Sequence, residues 1–191
     1  MQLPFQIKIG NLICRRLAVS TGLVCCVLAW PSAAQTVGTA VQAEAVVVTP
    51  LSFFKVDDLV FGSIVPSGAA GTVVIAPSGA RTKTGGVILA SGATPQPARF
   101  AGMGSRNQAV NIRLGSNSVT LNRVGGGANM TVNTFIIGST PTAQLTTAPT
   151  TFRIASSTGM FLFPVGATLR VKANQAPGSY TGNFAITLQY Q

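Results

Sequence analysis

The chain has 191 residues, of which thirteen are basic and three acidic, and it contains no histidine. The lack of histidine excludes Ser-His-Asp and Cys-His nucleophilic sites and removes a principal zinc ligand. The only carboxylates are Glu44, Asp57 and Asp58, too few for a calcium site and, with two of them adjacent, badly placed for a glycosidase pair. The sequence therefore predicts no enzyme, no metal site and no cofactor.

The N-terminus has the layout of a secretory signal peptide. Three basic residues precede an apolar run over residues 17–30, and small residues occupy the −3 and −1 positions of a cut between Ala34 and Gln35. The apolar run is shorter than the roughly 20 residues that a membrane helix needs. We expect residues 1–34 to be removed on export and the mature chain to have no transmembrane span.

The predicted mature chain has 157 of the 191 residues and no cysteine, because all three cysteines lie in the signal peptide. Its net charge falls from +10 to +7, since three of the thirteen basic residues are removed. The remaining basic residues are scattered and are not interleaved with aromatic residues as in a stacking platform. This pattern favours a solvated basic surface and predicts no nucleic-acid partner.

Residues 35–49 are predicted to form an N-terminal strand. In "QTVGTAVQAEAVVVTPL" small apolar side chains recur at every second position, with Gln42 and Glu44 on the opposite face. The residues that share the apolar face are Val37, Val41, Ala43, Ala45 and Val47. Alternation alone leaves open whether this strand pairs within its own chain or with another chain.

Residues 50–191 are predicted to form one antiparallel β-sandwich. Short β-rich runs alternate with Gly, Pro, Ser and Asn turn signals, and no helical period appears. Residues 123–129 read as a hairpin turn, and residues 138–151 read as a loop or loose edge segment. Three runs place apolar residues on one face: Val110, Ile112 and Leu114; Met130, Val132 and Ile136; Ala167, Leu169 and Val171.

The last strand has the most regular pattern of the chain. Four apolar residues alternate with polar or small ones up to the penultimate position, namely Phe184, Ile186, Leu188 and Tyr190. On pattern alone this run is equally an ordinary closing or edge strand of a sandwich.

The ending of the chain resembles that of chaperone–usher pilins. Gly178 is fourteenth from the C-terminus, Tyr190 is penultimate, and apolar residues alternate between them. The run from Pro177 to Tyr190, with Tyr180 and Gly182, is also similar to spore-coat-protein-U-type subunits. The wider chain resembles a bacterial domain-of-unknown-function family, family 4402, along the stretches 57–64, 71–89, 98–102 and 163–190.

The pilin resemblance implies an immunoglobulin-like sandwich that lacks one strand, completed first by a periplasmic chaperone and then by the N-terminal extension of the next subunit. It implies that residues Gly178, Tyr180, Gly182, Phe184, Ile186, Leu188 and Tyr190 border the acceptor groove, and that Val37, Val41, Ala43, Ala45 and Val47 form the donor. The expected partners are identical or homologous subunits, a chaperone and an outer-membrane usher. The expected location is the periplasm, then the cell surface. The alternative is a monomeric secreted or envelope-associated binding module, for example for glycan.

Overall fold

The computed structural model describes residues 45–138 and 142–191. Within these residues the fold is all-β, without a helix, and every strand pair is antiparallel. The strands are β1 (Ser52–Asp57), β2 (Ile64–Val65), β3 (Gly71–Ile75), β4 (Arg81–Gly85), β5 (Ile88–Leu89), β6 (Ala98–Met103), β7 (Ala109–Leu114), β8 (Ser118–Arg123), β9 (Asn129–Ile137), β10 (Ala143–Leu145), β11 (Thr150–Arg153), β12 (Met160–Val171), β13 (Tyr180–Thr181) and β14 (Ile186–Tyr190).

The twelve-residue strand β12 organises the larger, nine-stranded sheet. On one edge its first half pairs with β6 and its second half with β3, while its other edge pairs with β9. The sheet then continues from β6 to β1, from β3 to β4, and from β9 to β10, β8 and β13. A smaller sheet has the order β11-β7-β14, and β2 and β5 form a separate two-stranded ribbon.

The two sheets pack through an aromatic core. Phe152 of the small sheet lies 5.8 Å from Phe161 and 6.2 Å from Phe163 of β12, measured between ring centroids. Phe184, just before β14, contacts Phe135 at 5.0 Å and a second ring of the large sheet at 6.2 Å. Such sheet-on-sheet packing fits the predicted β-sandwich.

The predicted alternation is confirmed in two of the three runs. Val110, Ile112 and Leu114 of β7 are buried, and so are the three residues predicted to face inward in the second half of β12. In β9 the prediction for Ile136 is wrong, since Phe135 and Ile137 are the buried residues. Thr134 adopts φ 51°, and the register between β9 and β12 shifts there, so a β-bulge reverses which side chains face the core.

The hairpin at residues 123–129 is confirmed, and glycines 125–127 all adopt positive φ in its turn. Residues 138–151, predicted as a loop or loose edge segment, contain β10 and the start of β11 in their described part, and each of these short strands pairs with one described neighbour only. Two of the four residues of β11 are β-branched threonines, which favour an extended strand. Of the predicted N-terminal strand, residues 35–44 lie outside the described residues, and residues 45–49 make no strand pairing.

Candidate functional site

Two strands of the described sandwich have an unpaired edge on the same side of the molecule. Strand β14 pairs only with β7, and β1 pairs only with β6. The two strands meet at one end, where the Tyr190 hydroxyl donates to the Thr49 carbonyl oxygen at 2.6 Å. At their other ends, Lys55 of β1 and Phe184 before β14 line one groove. We call the space between these two edges the edge slot.

The free edge of β14 carries backbone groups that can accept another strand. Gly115 N–H donates to the Ala185 carbonyl and Gln191 N–H donates to Ala109, so odd-numbered residues point their backbone toward β7. In an antiparallel strand the alternate residues then point their N–H and C=O groups the other way. Those residues are Phe184, Ile186, Leu188 and Tyr190. Their outward groups meet no strand in the described part of the chain.

The edge slot opens into a groove of about 870 Å³. One wall is formed by residues 58–64, which follow β1, and the other by residues 178–184, which lead into β14. Apolar side chains of the large sheet form the floor: Phe100, Val119, Leu121, Met130, Val132, Phe135 and Leu169. Val119 and Leu121 are half-buried, whereas the other five are buried, so the exposed apolar surface lies mainly on the β8 side.

The first wall is held from behind by Arg81 of β4. Its guanidinium donates to the Ser63 carbonyl oxygen at 2.6 Å and to that of Ala90 at 3.4 Å. Gly62 adopts φ +76°, and a Cβ there would lie 3.2 Å from the guanidinium carbon. Burial lowers the pKa of Arg81 from its usual value, because desolvation disfavours the charged form. Arg81 therefore holds this wall in position. The sequence around Arg81 gives no indication of that role.

The second wall depends on two glycines that fit closely against β8. Gly178 adopts φ +143°, and a Cβ there would lie 2.7 Å from Nε of Arg123, which donates to the Pro177 carbonyl oxygen. At Gly182 a Cβ would lie 2.6 Å from the carbonyl oxygen of Thr120. Larger side chains would push the wall away from β8 and change the width of the groove.

Tyr180 anchors the same wall through a buried polar network. Its hydroxyl donates to the Ala176 carbonyl oxygen at 2.6 Å and accepts from Nε2 of Gln175 at 2.8 Å. Nε2 of Gln175 also donates to the carbonyl oxygen of Asn129, where β9 begins. The network ties the segment before β14 to the large sheet, which limits how far the groove can open.

The predicted site residues fall into three groups. Gly178, Tyr180, Gly182 and Phe184 line the groove. Ile186 and Leu188 lie along β14 with half-buried side chains packed on the core, while the intervening residues are exposed. Tyr190 closes the far end of the edge slot, where its hydroxyl also accepts from Ser105 N–H at 2.7 Å.

Of the predicted donor residues, only Ala45 and Val47 are among those described, and both are exposed. Val47 is 95% exposed, and its neighbours Val46 and Val48 are also exposed. The predicted cleavage site at Ala34 and Gln35, together with Val37, Val41 and Ala43, lies outside the described residues.

Charge is sparse around the groove. Lys55 and Asp58 form an ion pair of 2.6 Å at its mouth, with both side chains mostly exposed, so the pair contributes little to stability. Across residues 45–138 and 142–191, histidine, cysteine and acidic side chains form no group of three that could hold a metal ion. Over the same residues no helix is long and apolar enough to cross a membrane.

A comparison with models of protein families identifies the family of this chain. The family model described as "Domain of unknown function (DUF4402)" matches residues 51–190. The chain belongs to this family. The matched DUF4402 region begins one residue before β1 and ends at the last residue of β14, so it contains both strands that border the edge slot and the groove. No curated protein and no solved structure shows significant similarity to the chain.

Proposed function

We propose that this protein is an exported structural subunit of a fimbria-like surface fibre, assembled by donor-strand exchange. The observation that carries the proposal is the edge slot, whose two unpaired edges converge on an apolar groove. The N-terminal segment of one subunit, with donor residues Val37, Val41, Ala43, Ala45 and Val47, enters the edge slot of the next. Adding a strand to a sheet edge gives affinity through backbone hydrogen bonds and register through alternate side chains.

The exposed start of the described chain supports donation over self-pairing. Residues 45–48 precede Thr49, which is bonded to Tyr190 at the closed end of the edge slot. To enter its own slot, the preceding segment would have to reverse direction at Thr49 and run parallel to β14. Instead, Val46 and Val47 are 74% and 95% exposed. The described part of the segment, residues 45–48, is therefore accessible to a neighbour.

The donor residues set the strength of the joint. Each buried valine contributes about 1.5–3 kcal/mol, and an alanine contributes less. Ordering the segment costs roughly 1–2 kcal/mol per residue, so hydrogen bonds to β14 must supply much of the balance. We therefore expect an Ala43→Val substitution, which adds apolar surface on the donor face, to make the joint more resistant to heat and detergent.

Within this proposal the sandwich has the immunoglobulin-like, pilin-like arrangement with one strand supplied from outside. Before assembly the exposed edge would invite aggregation, which is the hazard a periplasmic chaperone prevents. An outer-membrane usher would then exchange the chaperone for the next subunit. Donation is head-to-tail, so it generates an open filament that is not closed into a ring.

The test separates the donor from the acceptor. A variant lacking Gln35–Val48 is purified from the periplasm and mixed with a synthetic peptide of residues 35–48. We expect the truncated protein to remain folded, to stop polymerising, and to bind the peptide with an increase in melting temperature. The full mature chain should instead form ladders on gels run without heating.

Matched peptides control for non-specific binding. Serine at Val41 and Val47 alters the face that would be buried, whereas serine at Gln42 and Glu44 alters the opposite face. The first peptide should lose binding and the second should keep it. If the truncated protein unfolds, the segment belongs to its own sandwich; if the full mature chain is a monomer, the alternative of a monomeric envelope-associated module stands and the fibre proposal is wrong.

A further inference from the structure

The outer face of the large sheet carries an exposed apolar patch that the core does not use. Residues directly opposite in antiparallel strands point to the same face. Phe54 of β1 and Leu162 of β12 both lie opposite Ala101 of β6, and Met160 of β12 lies opposite Met103. Phe54, Leu162 and Met160 are 64%, 65% and 59% exposed. We call Phe54, Ala101, Met103, Met160 and Leu162 the outer patch.

Most of the same face away from the outer patch is polar, so the outer patch is a local feature. Beyond it, two cross-strand rows run over β4, β3, β12, β9 and β8 and consist mainly of threonine, serine and asparagine. The rows are Thr84, Thr72, Arg170, Thr131 and Thr120, and Thr82, Val74, Thr168, Asn133 and Ser118. A wet sheet face normally looks like these rows, whereas contiguous exposed apolar residues mark an interaction surface.

The position of the outer patch indicates what covers it. Ser52, the first residue of β1, lies in the same cross-strand row as Met103 and Met160. The chain before Ser52 passes Gly104, where a Cβ would lie 3.0 Å from Leu51, and reaches Thr49 at Tyr190. Residues 49–51, which connect the N-terminal segment to β1, therefore lie at the end of the sandwich that carries the outer patch. A subunit that holds this segment in its own edge slot must stand beside that end.

The charges near the outer patch do not point to an anionic membrane surface. Arg99 lies on the same face of β6, but its guanidinium is 3.6 Å from the carboxylate of Asp57, the adjacent acidic residue. The nearest charges of this face are thus a compensated pair. A lipid-binding patch would instead be ringed by uncompensated basic residues. The two methionines are flexible side chains that fit irregular protein surfaces.

We infer that the outer patch is a second contact between consecutive subunits, covered by the body of the copy that receives the N-terminal segment. This inference rests on the proposed donor-strand exchange. The contact is heterologous, because the partner presents a different surface. It has a consequence for the fibre: a strand joint alone is a flexible tether, whereas a joint with the outer patch buried holds consecutive subunits in one orientation.

The predicted absence of cysteine from the mature chain makes the test simple. Met160→Cys places one thiol in the outer patch, and Val124→Cys, in the β8–β9 turn at 64% exposure, is the matched control. Each thiol is labelled with a maleimide dye in polymers of the mature protein, and in the same variant lacking Gln35–Val48 as the monomeric reference. We expect labelling at position 160 to slow by about tenfold or more in polymers, because interface cores exclude water. Labelling at position 124 should stay within about twofold.

The other outcomes overturn the inference in distinguishable ways. If polymers form and position 160 is labelled as fast as in the reference, the outer patch is not a subunit contact, while donor-strand exchange stands. If no polymers form, the proposed function and this inference fail together. If vesicles of phosphatidylglycerol protect position 160 in the monomeric reference, the outer patch binds lipid and the assignment to a second copy is wrong.

Discussion

Replacing Arg81 tests whether the groove wall at residues 58–64 is held in place by a single partly buried cation. An Arg81→Met substitution keeps much of the apolar stem but removes the 2.6 Å bond to the Ser63 carbonyl oxygen and the longer bond to Ala90. A hydrogen bond from a charged donor contributes about 1.5–3 kcal/mol. Ser63 keeps a second partner in the amide of Ala90, at 3.0 Å, so its carbonyl is not left unpaired.

The stability lost with these hydrogen bonds is partly offset, because the guanidinium no longer has to be desolvated on folding. Nε of Arg81 is buried without a hydrogen-bond partner among the described residues, so removing the guanidinium also removes an unsatisfied polar atom. We therefore expect the short bond to dominate and the free energy of unfolding to fall by about 1.5–3 kcal/mol. For a chain of this size the melting temperature drops by roughly 2–4 °C per kcal/mol.

Urea unfolding of the variant lacking Gln35–Val48 measures this difference, because the proposed strand exchange cannot take place in that reference. Lys83→Met is the matched control, since Lys83 lies on the same strand and is exposed. The lower stability of the Arg81→Met variant should be accompanied by weaker binding of the 35–48 peptide, because the wall at Ser63 would no longer be held in place. If Arg81→Met and Lys83→Met unfold within about 0.5 kcal/mol of each other, Arg81 does not hold the wall.

Three further substitutions probe the elements around the edge slot. Tyr190→Phe removes the hydroxyl shared by Thr49 and Ser105, so we expect a loss of about 1–3 kcal/mol and faster hydrogen exchange at the Ser105 amide; unchanged exchange would contradict the anchor. Gly178→Ala should cost about 1–3 kcal/mol in urea unfolding because of its positive φ, whereas Gly68→Ala, with only one atom near its Cβ position, should change stability by less than about 0.5 kcal/mol. Thr134→Gly should raise stability by several tenths of a kcal/mol, since a β-branched residue is strained at φ 51°, and a loss in thermal unfolding would show that the Thr134 side chain stabilises the bulge.

The alternation of apolar residues was sufficient to predict the sandwich and the buried face of most long strands. In β7 and the second half of β12 the period of two persists without interruption, so local pattern and tertiary burial agree. In β9 the pattern gave a wrong prediction for Ile136, because one residue at positive φ reverses which side chains of the strand face the core. Nothing in "NMTVNTFII" identifies Thr134 as that residue. The residue at positive φ in this bulge is a threonine and not the glycine that usually indicates such a position, so the sequence alone could not locate the bulge.

The sequence pointed to one wall of the groove and not to the other. The resemblance of the chain ending to pilins singled out residues between Gly178 and Phe184, and these residues form one wall of the groove; their role as an acceptor stays a prediction. The opposite wall, residues 58–64, contains no periodic pattern, and its support comes from Arg81, at least 17 residues further along the chain. Long-range hydrogen bonds of this kind depend on which strands become neighbours, and strand pairing is not encoded in any short window of sequence.

The composition of the two strands that border the edge slot distinguishes a protected edge from one that is open to pairing. Natural sheets protect exposed edges with charged side chains, prolines or bulges. Strand β1 has such protection, since Lys55 and Asp57 flank a register shift against β6. Strand β14 and the residues beside it, "NFAITLQYQ", contain no charge and no proline, and their pairing with β7 is regular. An unprotected edge is an aggregation hazard unless another strand regularly covers it. This difference between β1 and β14 is the physical reason to expect that β14 is the edge that a partner strand pairs with first.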